Sequence, residues 1–226
     1  MSRVINSDAN IFMESMEKDS IDLIITDPPY KDYQSCLGVQ KCKKIVKNEF
    51  TFERLIGHIE RILKPGCHFY LWCDALTYAD AFNCIKNSKS LKYKNMLIWV
   101  KNHHGAGDLF GGYAHQHEIC IFGTKGKGNK FEIGNKRISD VLLNKRDDGT
   151  IGYYHKIPPK IGGHPTIKPV ELLKLFINRS SKIGDMVFDP YSGSFSTMKA
   201  CIELGRECIG VELDSEYCKL APEINK

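Results

Sequence analysis

Apolar residues recur along this chain with two alternating periods. Ile21–Ile25 is a short run of branched residues that stops at Asp27-Pro28-Pro29, the pattern of a buried strand meeting a turn. Phe52, Leu55, Ile56, Ile59, Ile62 and Leu63 then fall at helical spacing within Phe50–Leu63, and Lys64-Pro65-Gly66 ends that helix. Cys67–Cys73 predicts a second buried strand, and Met96–Val100 and Glu118–Phe122 predict two more. Periodicity fades from Thr124 to Gly163, a Gly- and Lys-rich stretch. It returns at Pro169–Ile177, where Pro169 suits the first helical position. Met186–Phe188 and Cys208–Leu213 predict strands on either side of a helix at Ser196–Leu204. Strand alternating with helix predicts an α/β fold: a mostly parallel sheet with helices on both faces. Residues 1–226 read as one domain, with 124–163 as a small insertion.

Composition narrows this without redirecting it. At 226 residues, 42% apolar and 26% charged, the chain is neither collagen-like, nor disordered, nor a coiled coil. No apolar run approaches the roughly 18 residues of a membrane span, and MSRVINSDAN lacks a secretory pattern, so a cytoplasmic protein without membrane contact is expected. Nine cysteines with no Cys-x-x-Cys pair suggest reduced, packing thiols. The net charge of +5 is mild, but its distribution is not. Thr124–Gly163 holds nine Lys or Arg against four acids, a surplus equal to that of the whole chain. Lys125, Lys127, Lys130, Lys136 and Arg137 within it are candidate phosphate contacts.

Two segments bring chemistry to the carboxyl ends of strands, where sheets of this class bind ligands. The first is Asp27-Pro28-Pro29-Tyr30. Two prolines fix two φ angles and remove two donors, leaving a rigid turn with outward carbonyls. A carboxylate beside a carbonyl can accept both protons of a planar NH2 group. On a nucleobase amine, whose lone pair is delocalised, this localises the pair and stabilises the cation that develops. Tyr30 offers a stacking face for a base that must leave the duplex to be reached. The second segment is Val187–Ser194 (VFDPYSGS), followed by a helix and by Ile209–Asp214 (IGVELD). This is a nucleoside-binding βαβ pattern, in which Gly193 permits close backbone approach and Glu212 reaches ribose hydroxyls.

Together these residues resemble the β-type amino-group DNA methyltransferases, the N6-adenine and N4-cytosine enzymes in which the Asp-Pro-Pro-Tyr motif precedes the cofactor motif. The resemblance spans nearly the full chain and includes Phe50–Gly66, Lys94–Asp108, the His117-Glu118-Ile119 strand and His164-Pro165-Thr166-Ile167-Lys168-Pro169. It implies a Rossmann-like fold, double-stranded DNA as partner with 124–163 as the target-recognition insertion, and S-adenosylmethionine as cofactor, contacted through Thr166, Lys168, Asp189, Pro190, Gly193, Ser194 and Glu212. Asp8 is the matching acid for the cofactor's adenine. Asp27, Pro28, Pro29 and Tyr30 are the implied catalytic residues, and no metal is needed because a sulfonium is already an activated methyl donor. Histidines 103, 104, 115 and 117 cluster without the spacing of a zinc site.

Asp27, where cytosine enzymes of this family more often carry Ser, implies adenine N6 as the acceptor; cytosine N4 is the alternative. No Pro-Cys occurs, which argues against methylation at carbon 5. A restriction-modification setting and a homodimer are compatible with the resemblance. One departure stands out: the family's Gly-Ser-Gly-Thr-Thr reads Gly193-Ser194-Phe195-Ser196-Thr197 here. Phe195 either crowds the cofactor, leaving a catalytically impaired DNA-binding relative, or packs into the core.

Overall fold

In a computed structural model, which describes residues 1–29, 50–104, 111–129, 131–132, 137–145, 151–155 and 167–223, the strands align into one large sheet. In chain order they are β1 (Arg3–Asn6), β2 (Ile21–Thr26), β3 (Leu63–Cys73), β4 (Leu91–Val100), β5 (His117–Lys125), β6 (Val141–Leu142), β7 (Asn144–Lys145), β8 (Ile151–Gly152), β9 (Met186–Asp189) and β10 (Glu207–Glu212). The sheet order is β1-β10-β9-β2-β3-β5-β4-β6, and β7 and β8 pair as a separate hairpin. β5 runs antiparallel to both of its neighbours, while the other pairings in the large sheet are parallel. The α/β expectation holds.

The helices are α1 (Ala9–Ser15), α2 (Phe52–Ile62), α3 (Tyr78–Asn87), α4 (Val170–Ser180), α5 (Ser196–Glu203) and α6 (Ser215–Cys218). On one face Met13, Leu55, Ile59 and Ile85 pack on Ile24, Phe69, Leu71 and Phe188. On the other Leu172, Phe176 and Met198 pack on Leu23, Ile25, Tyr70 and Val187. Successive strand residues point to opposite faces, so β2 is apolar on both sides because both are covered.

Three sequence expectations shift. β3 starts at Leu63, where α2 ends, and runs through Pro65 and Gly66 rather than beginning at Cys67. The register slips between Ile21↔Leu63 and Leu23↔His68, and this irregularity accommodates the proline. Pro169 is the residue before α4, with ψ at 127°, not its first helical residue. Helices α1 and α3 were not anticipated; α1 is only seven residues long, and α3 buries just Ala81 and Ile85.

The 124–163 stretch is also less separate than its composition suggests. Its first two residues complete β5, which extends to Lys125. Val141 and Leu142 join the sheet edge opposite Ile98 and Trp99. The indole N–H of Trp99 donates to the Tyr154 carbonyl at 2.9 Å. Because β6 runs parallel to β4, it carries the chain towards the carboxyl edge, and the β7–β8 hairpin follows there.

Candidate active site

β2 leads outward to β3, and β9 leads the other way to β10, so the chain order reverses between β2 and β9. Sheets of this kind open a crevice at that reversal, outside the strand ends. Asp27 and Asp189 emerge there from adjacent strands. A cavity of about 670 Å³ opens at this point, within the usual range for ligand sites. Its walls bring together Asp8, Asp27, Pro28, Pro29, Lys168, Asp189, Pro190, Gly193, Ser194 and Glu212. These residues come from both ends of the chain, and all had been singled out from sequence. Tyr30 and Thr166 lie outside the described residues.

One half of the cavity is the βαβ turn between β9 and α5. Glu212 ends β10 and is anchored from both oxygens: Oε2 accepts the Gly193 N–H at 2.9 Å and Oε1 the Asp214 N–H at 2.8 Å. Burial raises its carboxyl above the ordinary range. Asp189 accepts the Tyr191 N–H at 3.2 Å, and the Ser192 N–H ties the turn to the Val211 carbonyl at 2.9 Å. Burial, helped by the neighbouring charges of Asp27 and Glu212, lifts the Asp189 carboxyl from 3.8 to about 7. Asp8 caps α1 through the N–H groups of Asn10 and Ile11, which fixes its carboxylate at the rim.

Phe195 answers the question its sequence raised. It is fully buried, belongs to the apolar cluster with Leu23, Ile25 and Val187, and does not line the cavity. Its backbone is left-handed, with φ at 58°, the conformation for which the family's glycine is suited. Room for its ring is made by Gly210 of β10: a Cβ there would stand 2.9 Å from Phe195 Cε1 and 2.6 Å from Ser192 Oγ.

The other half carries charge. The Lys168 ammonium is paired with Asp27 Oδ2 and lies 3.2 Å from Glu118 Oε2. Lys101 Nζ meets Glu118 Oε1 at 2.8 Å. Lys168 also sits over the Trp72 ring, 5.0 Å from its centroid. Burial alone would raise the Glu118 carboxyl, but Lys168 and Lys101 outweigh it and hold it at about 2. Burial likewise opposes the Lys168 charge, and Asp27 and Glu118 overcome that and raise its pKa. Neither Glu118 nor Trp72 was singled out individually from sequence. The signal for Glu118 was there: one acid inside an otherwise apolar strand, HEICIF.

Among the described residues, the cavity lining includes seven acids (Asp8, Asp27, Asp74, Glu118, Asp189, Glu212, Asp214) and one lysine, Lys168. With acids outnumbering lysines, such a lining favours a cationic ligand over an anionic one. No group of three or more His, Cys, Asp or Glu among the described residues could hold a metal.

One of the candidate DNA contacts needs correcting. Lys125 is buried: its ammonium donates to Asp19 Oδ1 at 2.5 Å and to the Leu63 carbonyl at 2.8 Å. It ties β5 to the start of β3 and cannot meet phosphate. Lys127 is exposed, but it follows the far end of β5. At roughly 3.4 Å per residue, that strand puts it roughly 27 Å from the cavity edge. Arg137 is exposed, and Lys130 and Lys136 lie outside the described residues.

Comparison with known proteins agrees with this geometry. Residues 21–223 match the family model described as DNA methylase, of the N6/N4 methyltransferase type. The type II methyltransferase M.HpaI of Haemophilus parainfluenzae is 28% identical, over 98% of this chain and 73% of that protein. The DNA adenine methyltransferase YhdJ of Escherichia coli (strain K12) is 28% identical, over 96% of this chain and 80% of that protein. Among solved structures, the M1.HpyAVI–SAM complex superposes with a TM-score of 0.71 at 21% identity, covering 98% of both chains. The cytosine-N4-specific PvuII DNA methyltransferase gives 0.74 at 16% identity, covering 97% of this chain and 84% of that one. At these identities the two structures speak for the fold.

Proposed function

The chain belongs to the N6/N4 DNA methylase family, and from that premise we propose that it methylates the N6 amine of an adenine flipped out of duplex DNA, with S-adenosylmethionine as donor. The observation that carries this reading is the Asp27-Pro28-Pro29 turn meeting the Asp189–Ser194 turn at the strand reversal, in one acid-lined cavity.

The cavity fits the cofactor by charge and by donor set. S-adenosylmethionine supplies a methyl group on a cationic sulfur, activated for displacement without a metal. Glu212, held by Gly193 and Asp214, presents a carboxylate suited to a ribose diol. Asp8 is the acid at the rim for the adenine, and the Ser192–Ser194 backbone flanks the space between. Asp27 and the Pro28 carbonyl would accept the two amine protons of the target base, drawing its lone pair out of conjugation. Acids outnumber lysines in the lining, which favours a cationic cofactor within over an anionic group.

Two features favour adenine over cytosine. The turn begins with Asp rather than Ser, and YhdJ, named as an adenine methyltransferase, aligns over most of the chain. The β7–β8 pair, at the carboxyl edge beyond β6, is the part of the 124–163 stretch suited to target recognition, and β7 carries Lys145.

Asp27→Ala and Glu212→Ala test the division of labour. Asp27→Ala should lower transfer by about a hundredfold, leaving cofactor affinity intact. Glu212→Ala should weaken cofactor binding by roughly 1.5–3 kcal/mol, with DNA affinity unchanged. Normal turnover by the first variant, or normal cofactor affinity in the second, would overturn these roles.

A further inference from the structure

We infer that Lys168 is a positioning residue for the Asp27 carboxylate, braced by an alternating row of charges, Lys101–Glu118–Lys168–Asp27, across the carboxyl edge of the sheet. The inference rests on the amino-methylation reading above and adds to it. The family resemblance gives Lys168 to the cofactor. Its ammonium instead engages Asp27 Oδ2 and Glu118 Oε2, and the lysine is only 8% exposed. Trp72 covers its other side. Glu118 is in turn fixed by Lys101, which lies over the Trp99 ring.

Two cations and two anions make the row neutral, and each inner member has a partner on both sides. Buried charges persist when paired in this way, and removing one strands the next. An aspartate at a turn can rotate about its last bond. Recognition of a planar amine needs one carboxylate oxygen held in the plane of the base, within a few tenths of an ångström. With Lys168 on Oδ2, the carboxylate plane is set before any base arrives. The row spans the ends of β4, β5 and β2 and the segment before α4. Rigid strands therefore supply the geometry.

The test measures single-turnover methyl transfer to duplex DNA, alongside cofactor titration, for Lys168→Met, Lys168→Arg, Glu118→Gln and the double variant Asp27→Asn/Lys168→Met. Lys168→Met should be slower by on the order of a hundredfold and bind cofactor within about twofold of wild type. Lys168→Arg should restore most of the rate, and the double variant should be no slower than Asp27→Asn alone. Thermal melting checks folding. If Lys168→Met does not fold, Glu118→Gln carries the test, with a fall of about tenfold at unchanged cofactor affinity. An unchanged rate would overturn the inference, as would a loss of rate matched by a loss of cofactor affinity, or a Lys168→Arg variant no faster than Lys168→Met. No transfer by the wild type would instead overturn the parent reading, and this inference with it.

Discussion

Replacing Phe195 separates packing from obstruction, because the two roles move different observables. The side chain is fully buried beside Leu23, Ile25 and Val187, so Phe195→Ala should cost about 3–5 kcal/mol. Glycine adds two opposing effects at φ 58°. It releases left-handed strain of about 1–2 kcal/mol, but it loses about 0.4–1 kcal/mol to unfolded-state entropy. Phe195→Gly should therefore be about 0–1.6 kcal/mol more stable than the alanine variant. For a chain of this size each kcal/mol is about 2–4 °C in melting temperature, so alanine should lower it by roughly 6–20 °C. Calorimetric cofactor titration of the same samples completes the assay. The ring does not line the cavity, so affinity should not improve. A glycine variant that melts like the wild type and binds cofactor more tightly would refute this account.

Two further perturbations test the electrostatics. Asp189 titrates near 7 when folded, against an ordinary 3.8. Its contribution to stability is therefore full below about pH 4 and is lost as pH rises through about 7. Asp189→Asn should gain in melting temperature relative to wild type as pH rises across that window; a pH-independent difference would contradict the assignment. Lys125→Met should lower the melting temperature, because Asp19 and the Leu63 carbonyl lose their partner, and Lys127→Ala should not. Neither should change the salt dependence of DNA binding. A slope flattened by about one unit for either lysine would return it to the DNA path.

Much of the fold was legible because the strands at its centre are covered on both faces. IDLII and CHFYLWC read as buried strands from their runs of branched and aromatic residues, although Pro65 and Gly66 lie inside β3 and not before it. The cofactor turn and the Asp-Pro-Pro turn were legible because rigid backbone chemistry is written in local sequence. What escaped was set by tertiary context. α1 is held by a cap on Asp8 and by burial of Met13, and its seven residues are too few for a period. Pro65 sits in a strand because a register slip accommodates it. Charge counting likewise misled at Lys125: a lysine in a basic stretch reads as surface, but β5 carries it inward to Asp19. Glu118 became a site residue only when β5, reversed against its neighbours, brought its amino end to the carboxyl edge of the others.

The central claim, methyl transfer to the adenine amine, is tested most directly by the chemistry of the product. Duplex DNA incubated with the protein and isotope-labelled S-adenosylmethionine is digested to nucleosides and analysed by mass spectrometry. The account predicts label on N6-methyladenine, lost with Asp27→Ala. Label confined to N4-methylcytosine would contradict the choice of base, and label on carbon 5 of cytosine would contradict the role given to the Asp27-Pro28 acceptor pair.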